Sequence, residues 1–172
     1  DLALMRPLGV AIARFHAAAE RRRDQGGAAG LAWVVDGNDA GLAEEGRDIF
    51  DATERRRVMA ATRESLERHH DLLESRRLDG FVRECHGDLH LRNIVVIDGQ
   101  PTLFDAIEFN DAIACIDVLY DLAFLLMDLE HRELTAHANA VLNGYLGVGH
   151  DLDGLALLPL FRKFLAGGEP GG

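Results

Sequence analysis

The stretch His86-Gly87-Asp88-Leu89-His90-Leu91-Arg92-Asn93 decides how the rest of this chain is interpreted. Within it, Asp88 stands five positions before Asn93, and a second acidic residue, Asp105, follows a short apolar segment. A carboxylate, an amide and a second carboxylate in this order supply three oxygen ligands within a short length of chain. The stretch therefore predicts a loop that carries chemistry.

The segment between Asn93 and Asp105 predicts how these side chains meet. Residues 94–97 and 101–104 are apolar runs separated by Asp98-Gly99, a pair typical of a two-residue hairpin turn. A hairpin returns the chain to its starting point, which brings Asp105 back beside the loop. We therefore expect Asp88, Asn93 and Asp105 to converge on one cleft.

This spacing is the one that ATP-dependent phosphoryl transfer uses. A carboxylate must meet the acceptor hydroxyl, and Asp88 fits that task. An amide oxygen and a second carboxylate bind the Mg²⁺ that bridges the nucleotide phosphates, and Asn93 and Asp105 fit the role of metal ligands. The cofactors predicted from this pattern are ATP and magnesium.

The motif His-Gly-Asp-x-x-x-x-Asn, followed by a strand that ends in Asp, resembles the aminoglycoside phosphotransferase and choline kinase family of the protein-kinase-like fold. Segments 11–16, 84–90, 104–110 and 121–131 are similar to bacterial proteins that join such a domain to a C-terminal P-loop ATP-binding domain. The resemblance covers about residues 1–165 and is most specific over 84–131. It implies a phosphotransferase that acts on a hydroxyl of a small molecule.

The resemblance also implies roles for single residues. Asp88 is the catalytic base, and His86 shapes the loop around it. Asn93 and Asp105 are metal ligands, and Glu108 is a further candidate ligand, although many relatives have Asp-x-Glu where this chain has Asp-x-x-Glu. An Asp that precedes Leu-Ala in the family braces the catalytic loop, which assigns structural support to Asp121.

The predicted fold class is mainly α with a small β-hairpin (α+β), the helical C-terminal lobe of a protein-kinase-like fold over residues 1–165. Residues 166–172 are expected to be a frayed or truncated tail. His16, near the end of the first predicted helix, is interpreted as a hydrogen-bonded structural residue. The predicted elements are a helix over 4–19, a connector with at most one short helix over 24–48, one long helix over 51–79 with Asp51 as N-cap, a buried helix over 116–129, a helix over 131–146 closed by a glycine-rich turn over 144–149, and a helix over 155–165.

Composition restricts the partners. The formal net charge of -11 argues against nucleic acid and anionic membranes, and suits a cationic substrate in a cleft lined by carboxylates. The only two cysteines, Cys85 and Cys115, form no metal-type pair, which favours a reducing compartment. No apolar run reaches the ~18 residues of a membrane span. The protein is therefore expected in the cytoplasm.

A kinase-like enzyme also needs a lysine and a glycine-rich loop on a β-rich lobe to hold the nucleotide phosphates. The only lysine here, Lys163, follows the catalytic loop, and no glycine-rich loop precedes it. We therefore expect the N-terminal lobe to be missing, and the 172-residue chain to be a fragment that is inactive alone.

Two other functions fit parts of the sequence. Gly87-Asp88-Leu89-His90 resembles a metallophosphoesterase signature, but the further Asp, Asn and His motifs of that class are not found. A non-catalytic kinase-like module that binds a nucleotide or a partner is the other alternative. The intact set of Asp88, Asn93 and Asp105 favours an enzyme over both.

Overall fold

The computed structural model describes residues 1–44, 51–107 and 110–168, which form eight α-helices and two small antiparallel sheets. The mainly helical α+β class predicted from the sequence is confirmed. In chain order the elements are α1 (Met5–Ala18), α2 (Gly27–Glu44), α3 (Ala52–Arg68), α4 (His70–Asp79), β1 (Val82–Glu84), β2 (Ile94–Ile97), β3 (Gln100–Leu103), α5 (Asp111–Ala114), β4 (Cys115–Asp117), α6 (Val118–His131), α7 (Thr135–Gly149) and α8 (Leu158–Gly168).

Helix α6 lies at the centre of the core. It is apolar around most of its circumference, so it must be covered on several sides, and it packs against α7 and α8. Asp117 caps its N-terminus by accepting the backbone N–H of Leu119 at 2.9 Å. The buried helix predicted over 116–129 is confirmed, with Asp117 ending the short strand β4 before it.

Helices α1 and α7 approach so closely that their backbones touch. A methyl group on Gly9 of α1 would collide with the carbonyl oxygen of Val141, and one on Gly144 of α7 would collide with that of Arg6. Gly144 therefore serves helix packing inside α7, and the prediction of a C-cap and turn over 144–149 is wrong. The helix runs to Gly149 and ends at His150, which adopts the left-handed conformation with φ 51°.

The connector predicted over 24–48 is also wrong where the chain is described, because α2 spans 18 residues, and residues 45–48 lie outside the described part. Its N-terminus is held by a distant residue, since Glu74 of α4 accepts the backbone N–H of Ala28 at 2.9 Å. Ala28, Leu31 and Val35 are buried at helical spacing and anchor the helix to the core. Tertiary packing overrides the low helix propensity of its glycines.

The single long helix predicted over 51–79 is two helices. The chain leaves helical geometry at His69, where φ is -105° and ψ is 5°, and the ring Nδ1 contacts the carbonyl oxygen of Ser65 at 2.7 Å. Asp51 stands at the predicted N-cap of α3, but its side chain makes no cap hydrogen bond. Gly80 ends α4 in the left-handed conformation, with φ 84°.

Both sheets lie next to the loop over residues 86–93. β1 pairs with β4, with Val82 opposite Asp117. β2 and β3 form the predicted hairpin, with Ile94 opposite Leu103, and Asp98 and Gly99 make the turn with positive φ values of 50° and 75°. The loop that contains Asp88 therefore begins at one sheet and ends at the other.

A buried arginine joins α4 to the segments on either side of the core. Arg76 is 3% exposed and donates to Asp117 at 2.7 and 2.9 Å and to Asp151 at 2.8 Å from each of its terminal nitrogens. Both carboxylates are thereby satisfied, and these hydrogen bonds raise the pKa of Arg76 although burial opposes its charge.

The C-terminal part begins with a 3-10 turn over Asp153–Leu157 and continues as α8. The helix predicted over 155–165 is therefore present, but α8 extends to Gly168. Of the predicted tail, residues 169–172 lie outside the part of the chain that the structure describes.

Candidate active site

The loop over residues 86–93 is held in place by a carboxylate from α6. Asp121 is fully buried and accepts the backbone N–H of Gly87 at 2.9 Å and that of His86 at 3.2 Å. Gly87 adopts a φ of 78°, and a Cβ there would press on Ile107 at 3.3 Å. Glycine is required at this position by both the backbone conformation and the close approach of Ile107.

The Asp121 carboxylate is also hydrogen-bonded to a side chain of α1. The Nε2 atom of His16 lies 2.9 Å from the carboxylate of Asp121, and its Nδ1 atom lies 3.0 Å from the hydroxyl of Tyr145. A carboxylate only accepts, so Nε2 donates to Asp121. The structural interpretation of His16 is confirmed.

A thiol lies beside this network. The side chains of Cys85, His16 and Asp121 come within 4.8 Å of one another, a group that could hold a metal ion. Burial raises the pKa of Cys85 well above its usual range, and its Sγ lies 3.5 Å from the carbonyl oxygen of Ile116. Because His16 and Asp121 are already satisfied by hydrogen bonds, the cluster is explained as structure without a cation.

Asp88 and Asn93 are in direct contact. The side-chain amide of Asn93 donates to the backbone carbonyl of Asp88 at 2.8 Å and to its carboxylate at 3.0 Å. Asn93 is 6% exposed, whereas the side chain of Asp88 is 34% exposed. Asn93 therefore orients the Asp88 carboxylate, and part of that carboxylate remains exposed where a ligand can reach it.

Asp105 is brought beside the loop by hydrogen bonds on either side of it. The backbone N–H of Phe104 donates to the carbonyl of Asn93 at 3.1 Å, and the ring Nε2 of His86 donates to the carbonyl of Phe104 at 2.8 Å. After Asp105, the N–H of Ile107 donates to the carbonyl of His86 at 2.9 Å. The hairpin thus returns Asp105 to the loop that carries Asp88 and Asn93.

The donor atoms at this place suit magnesium. The amide nitrogen of Asn93 is engaged by Asp88, so its oxygen is the atom left for a cation. The Asp105 carboxylate is exposed and has no hydrogen bond or ion pair within the described residues. An amide oxygen with a carboxylate is a hard ligand set of the kind that Mg²⁺ prefers. Glu108, the further candidate ligand, lies outside the described residues.

A cavity of about 770 Å³ opens beside the loop, and we call it the loop cavity. Among its lining residues are Gly87 and His90 of the loop and Asp128 of α6. The rest of its wall comes from α2, α5, α6 and α8 together with Ile116 of β4 and Arg132 after α6, and its large apolar members are Trp33, Ile113, Tyr120, Phe124, Met127 and Phe164. Asp128 is the one carboxylate among the described lining residues of this cavity.

Two site residues were missed by the sequence analysis. His90 lies with its Nε2 atom 3.0 Å from the Asp88 carboxylate and its ring edge-on to Phe124 at 5.7 Å. Asp128 accepts the backbone N–H of Leu91 at 2.9 Å. Asp128 stands seven residues after Asp121, a spacing that places both on one face of α6. This spacing is the feature of the sequence that could have indicated Asp128.

A profile of the phosphotransferase enzyme family (APH) matches residues 1–158, and the chain belongs to that family. Within the described ranges, the structure contains no helix with the length and apolar character of a membrane span.

The chain is also similar to the mycobacterial proteins named "Uncharacterized protein Rv2004c", from Mycobacterium tuberculosis (strain ATCC 25618 / H37Rv), and "Uncharacterized protein Mb2027c", from Mycobacterium bovis (strain ATCC BAA-935 / AF2122/97). Each is 33% identical over 122 residues, which are 69% of this chain and 24% of the relative. The chain thus matches about a quarter of the length of these relatives. No solved structure matches the chain.

Proposed function

We propose that this chain is the catalytic-loop lobe of an ATP- and magnesium-dependent phosphotransferase that acts on a hydroxyl of a small molecule. The observation that carries the proposal is the contact of Asn93 with the Asp88 carboxylate, combined with the hydrogen bonds that hold Asp105 against the same loop. Membership of the phosphotransferase enzyme family supports the reaction type.

In this proposal Asp88 acts on the acceptor. Its carboxylate receives the hydroxyl proton as the acceptor oxygen bonds to the γ-phosphorus of ATP and the bond from that phosphorus to ADP breaks, so the proton passes to Asp88 and ADP leaves. Asn93 holds that carboxylate in one orientation, and His86 supports the loop by donating to Phe104. These residues contribute chiefly by positioning, which is the main protein contribution to phosphoryl transfer.

Asn93 and Asp105 would hold the magnesium ion, which supplies charge neutralisation for the nucleotide phosphates when it is bound. Asp121 takes no part in the chemistry. It supports the reaction by fixing the backbone of Gly87 and His86.

The nucleotide clamp belongs to a separate β-rich lobe in this proposal, and a fused P-loop ATP-binding domain remains a further expectation. The length of the mycobacterial relatives, of which the matched part is 24%, leaves room for both. We also expect a cytoplasmic protein that uses neither nucleic acid nor a membrane surface as a partner.

The test joins the chain to the N-terminal lobe of a family member and measures transfer from labelled ATP to a panel of hydroxyl compounds with magnesium. We expect Asp88→Asn to lower kcat by about 10²–10⁴-fold, because the proton acceptor is lost. The control is Asp98→Asn, which makes the same change at an exposed aspartate of the hairpin turn. Equal activity of the Asp88 variant and the control would refute the assigned role.

The same two-lobed protein tests the metal ligand. Asp105→Asn removes an anionic oxygen, so the magnesium concentration needed for nucleotide binding should rise. An unchanged magnesium dependence would point to another ligand set, with Glu108 as the first candidate. Tight nucleotide binding without any transfer would favour the non-catalytic module instead.

The 172-residue chain alone should transfer no measurable phosphate, because the nucleotide phosphates lack their lysine and covering loop. Incubation with labelled ATP, magnesium and the same panel checks this. Turnover equal to that of the two-lobed protein, abolished by Asp88→Asn, would show that the second lobe is not needed.

A further inference from the structure

The charges around the loop cavity do not match a polycation. Its one described carboxylate, Asp128, is already compensated, because it accepts from Arg132 Nε at 2.8 Å and from the backbone N–H of Leu91 at 2.9 Å. The Asp128 side chain is 13% exposed, so little of it remains available to a ligand. An ammonium group that enters the cavity would lose water and find no free counter-charge within the described lining.

The remaining wall suits an apolar ligand. Aromatic rings and aliphatic side chains from four helices form most of it, and Tyr120 packs edge-on to Phe124 with ring centroids 5.5 Å apart. Burial raises the pKa of Tyr120, so its phenol stays neutral. A volume of about 770 Å³ falls in the range of about 300–1,000 Å³ that is usual for drug-sized ligands.

The cavity reaches the catalytic carboxylate through His90. That ring lines the cavity, touches Phe124 by its edge and lies 3.0 Å from the Asp88 carboxylate with its Nε2 atom. Gly87, the residue before Asp88, also lines the cavity. Asp88 is not itself a lining residue, so a ligand whose body fills the apolar part would present its hydroxyl at the Gly87 and His90 end, beside the Asp88 carboxylate.

We infer that the loop cavity binds a neutral alcohol with a bulky apolar or aromatic body, and that a polycationic aminoglycoside is not its ligand. The step from ligand to phosphate acceptor rests on the proposed function. Binding itself does not, because it needs neither nucleotide nor magnesium.

Binding can be followed in the chain itself. Trp33 is the only tryptophan of the sequence, lines the cavity and is 58% exposed, so its fluorescence reports on an occupant. The probes are adamantanol and octyl glucoside as neutral apolar alcohols, and kanamycin as the polycation. We expect saturable changes in Trp33 emission with the two neutral alcohols, mutual competition between them, and no saturable change with kanamycin at the same concentrations.

A pair of glycine variants on α2 localises the binding. Gly37 lines the cavity and a Cβ there would meet no atom within 4 Å, so Gly37→Phe can fill the cavity without a clash of its Cβ. A helical side chain leans towards the N-terminus of its helix, which directs this ring towards Trp33. Gly30 has equally open surroundings but is not among the lining residues, and its side chain would lean away from the cavity, so Gly30→Phe is the matched control.

We expect Gly37→Phe to raise the Kd of adamantanol at least tenfold and Gly30→Phe to leave it within twofold. Circular dichroism checks that both variants are folded. Ile113→Glu changes a lining residue of α5 that is 36% exposed and obstructs the cavity from a second side. Kanamycin binding tighter than the alcohols, or alcohol binding that neither Gly37→Phe nor Ile113→Glu weakens, would overturn the inference. Alcohol binding by the chain, with no phosphate transfer by the two-lobed protein, would leave the inference standing and refute the proposed function.

Discussion

The carboxylate of Asp121 accepts the backbone amide of Gly87 at 2.9 Å across 34 positions of sequence. It joins the centre of α6 to the loop that carries Asp88, and through His16 it joins α1 to the same point. One buried side chain thus fixes the loop relative to two helices. Because a buried carboxylate is costly unless it is satisfied, the loop and the core stabilise each other.

Replacing this carboxylate should destabilise the fold. Asp121→Ala leaves the N–H groups of His86 and Gly87 and the Nε2 of His16 without their acceptor, which should cost about 3 kcal/mol of unfolding free energy. Urea unfolding measures the loss. Asp71→Ala, at an exposed aspartate of α4, is the control and should change stability by no more than about 0.5 kcal/mol. Similar values for the two variants would contradict the proposed support role.

The buried arginine gives a second stability prediction. Arg76→Ala removes the partner of two buried carboxylates, Asp117 and Asp151, and should cost about 3–5 kcal/mol. Arg63→Ala is the control, because Arg63 also contacts two aspartates but its side chain is 48% exposed, and its loss should cost at most about 1 kcal/mol. Denaturant midpoints measured at one pH compare the two. A loss for Arg76→Ala as small as that of the control would show that the ion pair is energetically neutral.

The contact between α1 and α7 predicts opposite effects for two glycine-to-alanine changes. Gly9→Ala forces a methyl group against the carbonyl of Val141 and should destabilise by about 1–3 kcal/mol or more. Gly147→Ala, in α7, meets no atom within 4 Å and should stabilise by about 0.5–1 kcal/mol through helix propensity. Thermal unfolding of both variants is the measurement, and the idea fails if Gly9→Ala raises the Tm.

The cap that Glu74 provides for α2 predicts a pH dependence. A hydrogen bond from Arg77 lowers the pKa of Glu74 below its ordinary value of 4.5, although burial opposes the change. Since the folded-state pKa is the lower one, the stabilisation is present above pH 4.5 and is lost as the pH falls through the folded-state value. The stability difference between wild type and Glu74→Gln should therefore shrink below pH 4.5. Glu67→Gln, at an exposed glutamate, serves as control. A stability difference between wild type and Glu74→Gln that grows on acidification would contradict the prediction.

The parts of the fold that local patterns determine were predictable. The hairpin follows from two apolar runs around Asp98-Gly99, and α6 follows from an uninterrupted apolar segment. The sequence therefore predicted both the loop that carries Asp88 and Asn93 and the hairpin that brings Asp105 back to it. His86 and Asp121 were assigned through the family resemblance, and their hydrogen bonds to Phe104 and Gly87 agree with supporting positions.

The parts that depend on distant contacts were not predictable. Helix α2 has a glycine-rich sequence and begins where Glu74, 46 positions away, accepts the N–H of Ala28. Arg76 is the partner of carboxylates 41 and 75 positions away, and nothing in its own segment distinguishes it from its neighbour Arg77. The loop cavity was missed for the same reason, because most of its wall is assembled from four helices that are separate in sequence.

The backbone at Asp105 restricts which residues evolution or an engineer can place there. Its φ of 63° lies in the left-handed region, which is costly for most side chains but is tolerated by Asp and Asn and open to Gly. The conformation therefore disfavours β-branched replacements at this position, whatever the chemistry requires. Asp105→Asn isolates the loss of charge at an unchanged backbone, whereas Asp105→Val would distort the hairpin exit and confound a binding measurement with a folding defect.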